Sequence, residues 1–576
     1  MKKTFFALVA TATVAAIALT GCKDKNPAYD EKADCLIVGK VITMDEGNPS
    51  AEAITVKNGM VQYVGTLDEA RRYCDDKTKE INYATASIYP GFMEGHVHGM
   101  LVAERLQQLD LSALDEQQGT KMADFVAAVA QYVKDNPSKE IYKGSGWSVR
   151  DVEPTAAMLD AVCATKPIIL TSGDGHSVWI NTKAIEQFHI ADIDNIEQYS
   201  TNYIRVDENG YPTGYISEGA TNLVRAALTL TKEEYKEGLL QWQQKAFSLG
   251  ITACTEAALL PNSPIIDAYQ ELAKSGAWKL RTYAVERIPY TKDEKQFNAA
   301  LEAAFAHSMQ YNSEYFKVSG IKIFVDGVVE AQTAWFLEPY ANDNQYYGTP
   351  SFPDADLIAK AVAFANTNNM NAHFHTIGDA AVRTAVKGIV QAQQQTGITD
   401  ARNTLSHLEI VQQEELELMS KHNIIPVVAP LWVPMDAEYY NYLKQYLGTD
   451  RLDHQLPIKS FFVKGCKVNF HTDYPVSPTF NVPQTIYAAV MRTLPEYAAF
   501  GPQNIDEAIT REQALQAFTT NVAYQFKQEN RLGKLKAGFV ANMTVFNTNF
   551  MKDDMSAIAN ATLVATIVDG QEVYKK

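Results

Sequence analysis

Eight short β-branched runs, spaced along the middle of the chain and separated by helical stretches, constrain the fold more than any other feature. They are SIYPGFMEGHVH (87–98), GITACTEA (250–257), KLRTYAVERI (279–288), GIKIFVDG (320–327), MNAHFHTIGD (370–379), NTLSHLEI (403–410), IIPVVAP (424–430) and KVNFHTDYPV (467–476). β-Branched side chains are stiff at χ1 and suit a pleated surface, so each run is a strand candidate. Between the runs the periodicity turns helical: Leu357, Ala361, Phe364 and Ala365 share one face before the fifth run. Eightfold strand–helix alternation is the pattern of an α/β (β/α)8 TIM barrel.

One interval breaks the rhythm. About 150 residues separate the first run from the second, where a whole βαβ unit needs about 30. The excess predicts an inserted subdomain after the first strand, at about 100–245. It carries an amphipathic helix with Phe125, Val126, Val129, Tyr132 and Val133 on one stripe, and the strand-like PIILTSGDGH.

Both ends of the chain read as β-structure. CLIVGKVITM, AEAITVKNG and MVQYVGT lie near the start, with an Asn58-Gly59 hairpin turn; TLVATIVDGQEVYK lies at the end, with an Asp569-Gly570 turn. Residues 34–86 and 530–576 are therefore expected to form one composite β-sandwich, and 87–529 the barrel.

Ahead of these, Lys2 and Lys3 precede an apolar run from Phe5 to Leu19, too short for a membrane span. Leu19-Thr20-Gly21-Cys22 resembles a bacterial lipobox. That resemblance implies a signal peptide at 1–21, a lipid on Cys22, a polar tether over 22–33, and export to a bacterial cell envelope where the lipid is the sole membrane contact. A plain secretory signal with an incidental cysteine is the alternative.

Composition narrows the function. Hydrophobic residues make up 46% and charged residues 21%, which suits a folded protein with a large core. The net charge of −17, without a Lys/Arg cluster, argues against tracking a phosphate backbone, so no nucleic-acid partner is expected. Cys35, Cys74, Cys163, Cys254 and Cys466 are scattered, odd in number and form no CxxC, so neither a disulfide framework nor a cysteine zinc site is indicated.

In a TIM barrel the strand C-termini meet at one mouth, where active sites sit. His96 and His98, Lys322, His375, His407 and Asp473 fall at those ends. His96 and His98 are two apart on a strand, which puts both imidazoles on one face, able to chelate one metal. An HxH alone could equally be surface or core. Three imidazole-bearing strand ends and a carboxylate aimed at one mouth are harder to explain as packing, because buried polar groups need partners and a divalent cation would satisfy all of them.

These residues sit in stretches that resemble the amidohydrolase superfamily, and within it the amidohydrolase-3 family of YtcJ-like metal-dependent hydrolases. The stretches include PGFMEGHVH (90–98), GSGWSVRD (144–151), DGHSVWIN (174–181), GIKIFVDGVVEAQTAW (320–335), HTIGDAAV (375–382), HTDYPVSP (471–478) and RLGKLKAGFVANMTVF (531–546). The resemblance implies two divalent ions; zinc is the default for His/carboxylate ligation, and Mn, Fe or Co would also fit. His96 and His98 would hold the more buried ion and His375 and His407 the second. Lys322 would carry a CO2-derived carbamate bridging both; an ordinary lysine paired with Asp326 or Asp473 is the alternative. Asp473 would touch the first ion and shuttle protons.

Three positions depart from the family pattern. Glu94 stands where Asp is frequent, and Asn542 replaces an Asp in the C-terminal β-region. His373 adds a rival imidazole beside His375, although the following Gly378-Asp379 favours His375. In the insertion, His176 and Trp147 are expected to line the cavity of a small-molecule substrate, with Trp147 as the insertion's own core the other reading. Glu218 and Glu256 could be metal neighbours or hydrogen-bond partners.

The expected activity is metal-dependent hydrolysis of a C–N bond in an amide, formamide or cyclic amide. A single-metal deaminase of the same superfamily and a non-catalytic lipid-anchored binding protein are the alternatives. Substrate identity is beyond the sequence, and a homo-oligomer is left open.

Overall fold

The computed structural model describes Tyr29 and residues 31–576, apart from positions 116, 118, 174, 175, 193, 195–202, 478 and 479. The expected signal peptide and Cys22 lie outside the described residues. The tether expected to run through Ala33 stops earlier: Ala33 is buried, and its amide donates to Tyr73 O at 2.8 Å.

The barrel strands are β1 (Phe92–Val97), β2 (Ile251–Leu259), β3 (Arg281–Arg287), β4 (Phe316–Phe324), β5 (Asn371–Thr376), β6 (Thr404–His407), β7 (Ile425–Val428) and β8 (Asn469–Phe470). They lie in that order in one eight-stranded parallel sheet. The short β8 meets β1 through the segment that follows it: His98 N–H donates to Tyr474 O at 2.9 Å, and Thr472 N–H to the Glu94 carboxylate at 3.1 Å. The arrangement is a nearly closed (β/α)8 barrel. Every residue of β2 is buried, as a parallel strand with one face in the barrel and the other under helices must be.

The helices begin where the sequence supplies caps. Thr231 and Glu234 form a capping box for Lys232–Ser248, and Asp293 and Asp354 cap Glu294–Gln310 and Ala355–Thr367. On Ala355–Thr367 the buried stripe is Ile358, Ala361, Val362 and Ala365, with Leu357 and Phe364 at its edge.

The first run of the sequence divides at Gly91. Residues 87–90 finish the strand Lys79–Pro90 of the terminal sheet, and only Phe92–Val97 enters the barrel. A Cβ at Gly91 would lie 2.4 Å from Thr252 Oγ1, so the crossing between the two sheets is too tight for a side chain. The terminal strands form one seven-stranded sheet whose two ends share a core, Val56 and Val61 with Ala565 and Ile567. Its order is Gln571–Lys575, Leu563–Val568, Met543–Phe546, Lys79–Pro90, Cys35–Ile42, Ser50–Lys57, Met60–Gly65. Asn58 and Gly59, and Asp569 and Gly570, adopt positive φ in their hairpin turns.

Between β1 and β2, strands from Leu109–Asp110 to Pro212–Ser217 form a separate six-stranded sheet with its own apolar cores. The flanking helices Gly99–Gln107 and Lys232–Ser248 pack together in the barrel's core instead. Gly238 allows that approach, since a Cβ there would lie 2.6 Å from Ala103 O. Among the described residues no helix is long and apolar enough to cross a membrane, and the five cysteines are free.

A candidate metal centre at the barrel mouth

Strand alternation delivers the site. His96 comes from β1, and His98 stands just past its end. Lys322 lies near the end of β4, His373 and His375 are on β5, and His407 ends β6. His471 and Asp473 follow β8. His407 and Asp473 have φ of 78° and 59°, in the left-handed region. For residues other than glycine such strain costs about 1–3 kcal/mol and gathers at functional sites.

Asp473 Oδ1 lies 3.0 Å from His96 Nε2 and 3.2 Å from His98 Nε2. Yet His96 Nε2 and Asp473 Oδ1 are buried without a hydrogen bond to any group. One donor atom each from His96, His407 and Asp473 falls within 4.8 Å of the others. Both nitrogens of His407 and of His471, and Nζ of Lys322, are also buried without hydrogen-bond partners. The rings are close, with His375 at 4.4 Å and His96 at 5.0 Å from His407 between centroids.

The charge states match. Burial pushes His96 and His407 well below the usual imidazole range, and His375 and His471 to about 4. Burial alone would raise Asp473, but the facing imidazoles of His98, His407 and His471 hold it well below the usual carboxylate range. Burial takes the Lys322 ammonium down to about 7. Neutral imidazoles with free lone pairs around an ionised carboxylate are the ligand states a divalent cation requires. The residues present therefore fit such an ion.

Lys322 makes no ion pair with Asp326. The Asp326 carboxylate accepts instead from the amides of Ile377 (3.0 Å), Gly378 (2.8 Å) and Trp335 (3.0 Å), fixing the loop after β5. His375 Nε2 is 3.1 Å from Gly327 O and 3.7 Å from Asp326, on the near side of that loop.

The expected set His96, His98, Lys322, His375, His407 and Asp473 thus gathers at one mouth. Trp147 does not join it. It is fully buried between Trp179, Phe125 and Leu159 in the insertion, and its indole N–H donates to Leu170 O at 2.8 Å. A side chain so enclosed cannot line a ligand cavity, and packing is its role. His176 is exposed in the insertion just before the strand Ser177–Ile180; Asp174 and Gly175 beside it lie outside the described residues. Glu256 caps a helix: its carboxylate accepts from Met100 N–H at 2.9 Å and Tyr269 O–H at 2.7 Å. The Glu218 side chain lies outside the described residues.

Two further side chains, His471 and Trp432, border the mouth. His471, two residues before Asp473, has its ring centroid 5.1 Å from His96 and 5.0 Å from His407. Trp432, in the turn after β7, stacks on His407 at 5.2 Å and 8°, and its indole N–H donates to Ser477 Oγ at 2.7 Å. Its place after IIPVVAP was the only available signal.

The profile of the Amidohydrolase family matches residues 81–574, and the chain belongs to that family. Among individual proteins it is 24% identical to YtcJ of Bacillus subtilis, which carries an amidohydrolase designation, over 93% of this chain and 98% of that protein. It is 22% identical to the N-substituted formamide deformylase of Arthrobacter pascens, over 94% and 98% of the two chains. The crystal structure of an uncharacterized metal-dependent hydrolase from Pyrococcus furiosus superposes with a TM-score of 0.71 at 22% identity, covering 90% of this chain and 99% of that one.

Proposed function

We propose that the protein is a metal-dependent hydrolase that cleaves a C–N bond of an amide, formamide or cyclic amide. The observation that carries this reading is the pair of buried, unbonded donor atoms on His96 and Asp473, with His407 beside them. Two such lone-pair groups 3.0 Å apart without a proton between them make sense if both face a cation. Family membership and the deformylase relative, whose name gives N-substituted formamides as substrates, support the choice of bond.

His96, His98 and Asp473 would hold one divalent ion, zinc foremost, and His375 and His407 a second. Lys322 would join them as a carbamate, its neutral amine adding to CO2 and losing a proton. Its Nζ, buried without a hydrogen-bond partner, supports that role. Such ions polarise a carbonyl and acidify water. Asp473 takes the proton from the attacking water and returns it to the leaving nitrogen. Trp432, stacked on His407, covers that side of the site.

A single-ion deaminase is the second reading, because only one tight donor group is found among the described residues. Purified protein reconstituted with zinc should be offered N-acyl amines, formamides, cyclic ureides and aminated heterocycles. Amine or carboxylate release that stops on chelation and returns with zinc supports the first reading. Ammonia release from the aminated heterocycles alone would replace it with the second.

The lipid anchor is also proposed, on Leu19 to Cys22 alone. Cys22→Ser should release the protein from the membrane fraction or block its processing; unchanged membrane association and mature N-terminus would defeat the proposal.

A further inference from the structure

Beneath the candidate metal centre the hydrogen bonds form a line. His96 Nδ1 lies 2.9 Å from Ser406 Oγ and 2.7 Å from His373 Nε2. Ser406 Oγ lies 2.6 Å from the same His373 nitrogen, and His373 Nδ1 lies 2.6 Å from Thr404 Oγ1. Strand register sets these contacts: Thr404 pairs with His373, and Ser406 with His375. All four side chains of the line are fully buried, so no water competes and each donor needs an acceptor within the line.

A neutral imidazole has one N–H and one lone pair. His373 uses both nitrogens in the line and has none left for an ion, although its sequence position made it a rival to His375. His96 uses only Nδ1, and its Nε2 has no hydrogen-bond partner. A proton on Nε2 would therefore be a buried donor whose nearest acceptor, Asp473 Oδ1 at 3.0 Å, lies out of hydrogen-bond alignment, and an unmade buried hydrogen bond costs about 1–3 kcal/mol. A proton on Nδ1 is satisfied: it goes to Ser406 Oγ, the Ser406 hydroxyl donates to His373 Nε2, and His373 Nδ1–H donates to Thr404 Oγ1.

We infer that His373, Ser406 and Thr404 form a relay that holds His96 as the Nδ1–H tautomer, so that the Nε2 lone pair faces the metal site. His373 is a positioning residue and not a ligand. The inference rests on the metal reading of the site, but not on which bond is hydrolysed. Partners of this kind orient a ligand ring and raise its basicity, and losing one lowers metal affinity about 10–100-fold.

The test uses the full chain. Zinc affinity is measured by competition with a chromogenic chelator for wild type, His373→Phe and His373→Gln. In parallel, long-range 1H–15N correlation on histidine-labelled wild type reads the His96 tautomer without and with zinc. We expect His373→Phe to bind zinc about 10–100-fold more weakly. His373→Gln, whose amide oxygen can accept from Nδ1–H, should recover much of the loss, and His96 should be the Nδ1–H form in both samples. A zinc affinity within about twofold of wild type in folded His373→Phe, or an Nε2–H form in the metal-free protein, would overturn the relay. Should His373→Phe not fold, the wild-type tautomer still decides. Wild type that binds no zinc contradicts the metal reading, and the tautomer then tests the relay separately.

Discussion

His96 Nε2 and Asp473 Oδ1 stand 3.0 Å apart, both buried, and neither is hydrogen-bonded to the other or to any other group. They come from opposite ends of the strand order, β1 and the segment after β8, so the contact forms only when the barrel closes. Two orphaned donor atoms are a cost to the metal-free fold. In the proposed reading a bound divalent ion supplies the missing partner.

Asp473 carries the proton in this account. Asp473→Asn keeps an oxygen that can ligate but cannot accept the proton. It should fold and retain much of its metal while kcat falls about 10²–10⁴-fold. His471, the nearest competitor, has both nitrogens free and its ring centroid 5.1 Å from His96. Near-normal turnover in Asp473→Asn together with its loss in His471→Asn would transfer the role to His471.

Lys322→Ala should lower metal content and activity together, and added short carboxylic acids should restore part of both by standing in for the carbamate. A fully metallated, active Lys322→Ala protein would remove the bridging role.

Glu256, whose carboxylate holds the amide of Met100 two residues past His98, makes stability pH-dependent. Burial raises its carboxyl from 4.5 to about 8. Between those values the folded chain holds a proton that the unfolded chain releases, so stability falls as pH rises from about 4.5 to about 8, by up to about 1.4 kcal/mol per pH unit. Glu256→Gln keeps an acceptor for Met100 and Tyr269 and should flatten that slope. It should match wild type near pH 4 and exceed it at pH 8 in chemical denaturation. An unchanged slope would mean that Glu256 does not titrate in this range.

Trp147→Ala should destabilise the protein by about 3–5 kcal/mol, the range for emptying a buried aromatic site. Zinc content at 20 °C should not change. A fall in catalytic efficiency with no loss of stability would restore the substrate-facing role that its burial argues against.

The barrel was legible because β-branched runs and helical periodicity alternate, and its mouth because chemistry-bearing residues recur at the run ends. What escaped depends on three-dimensional neighbours. The division of the first run at Gly91 follows from Thr252, far along the chain. Trp147 sits in a glycine-rich stretch that looks like a loop over a ligand, yet it is enclosed in a core shared with Trp179 and with Leu159 of the helix Ala156–Asp160. The roles of His373 and His375 separate only when register sets Thr404 and Ser406 beside β5. Period two alone puts both imidazoles on the same face.

Metal content tests the central claim most directly. The full chain should be stripped with chelator, equilibrated with zinc, freed of excess ion and analysed by plasma mass spectrometry, beside a His96→Asn/Asp473→Ala double variant of matched thermal stability. The account predicts two zinc ions per wild-type chain and a marked loss in the variant. One ion per chain would point to the single-metal reading, and a wild-type chain that retains no zinc, manganese, iron or cobalt would contradict the account.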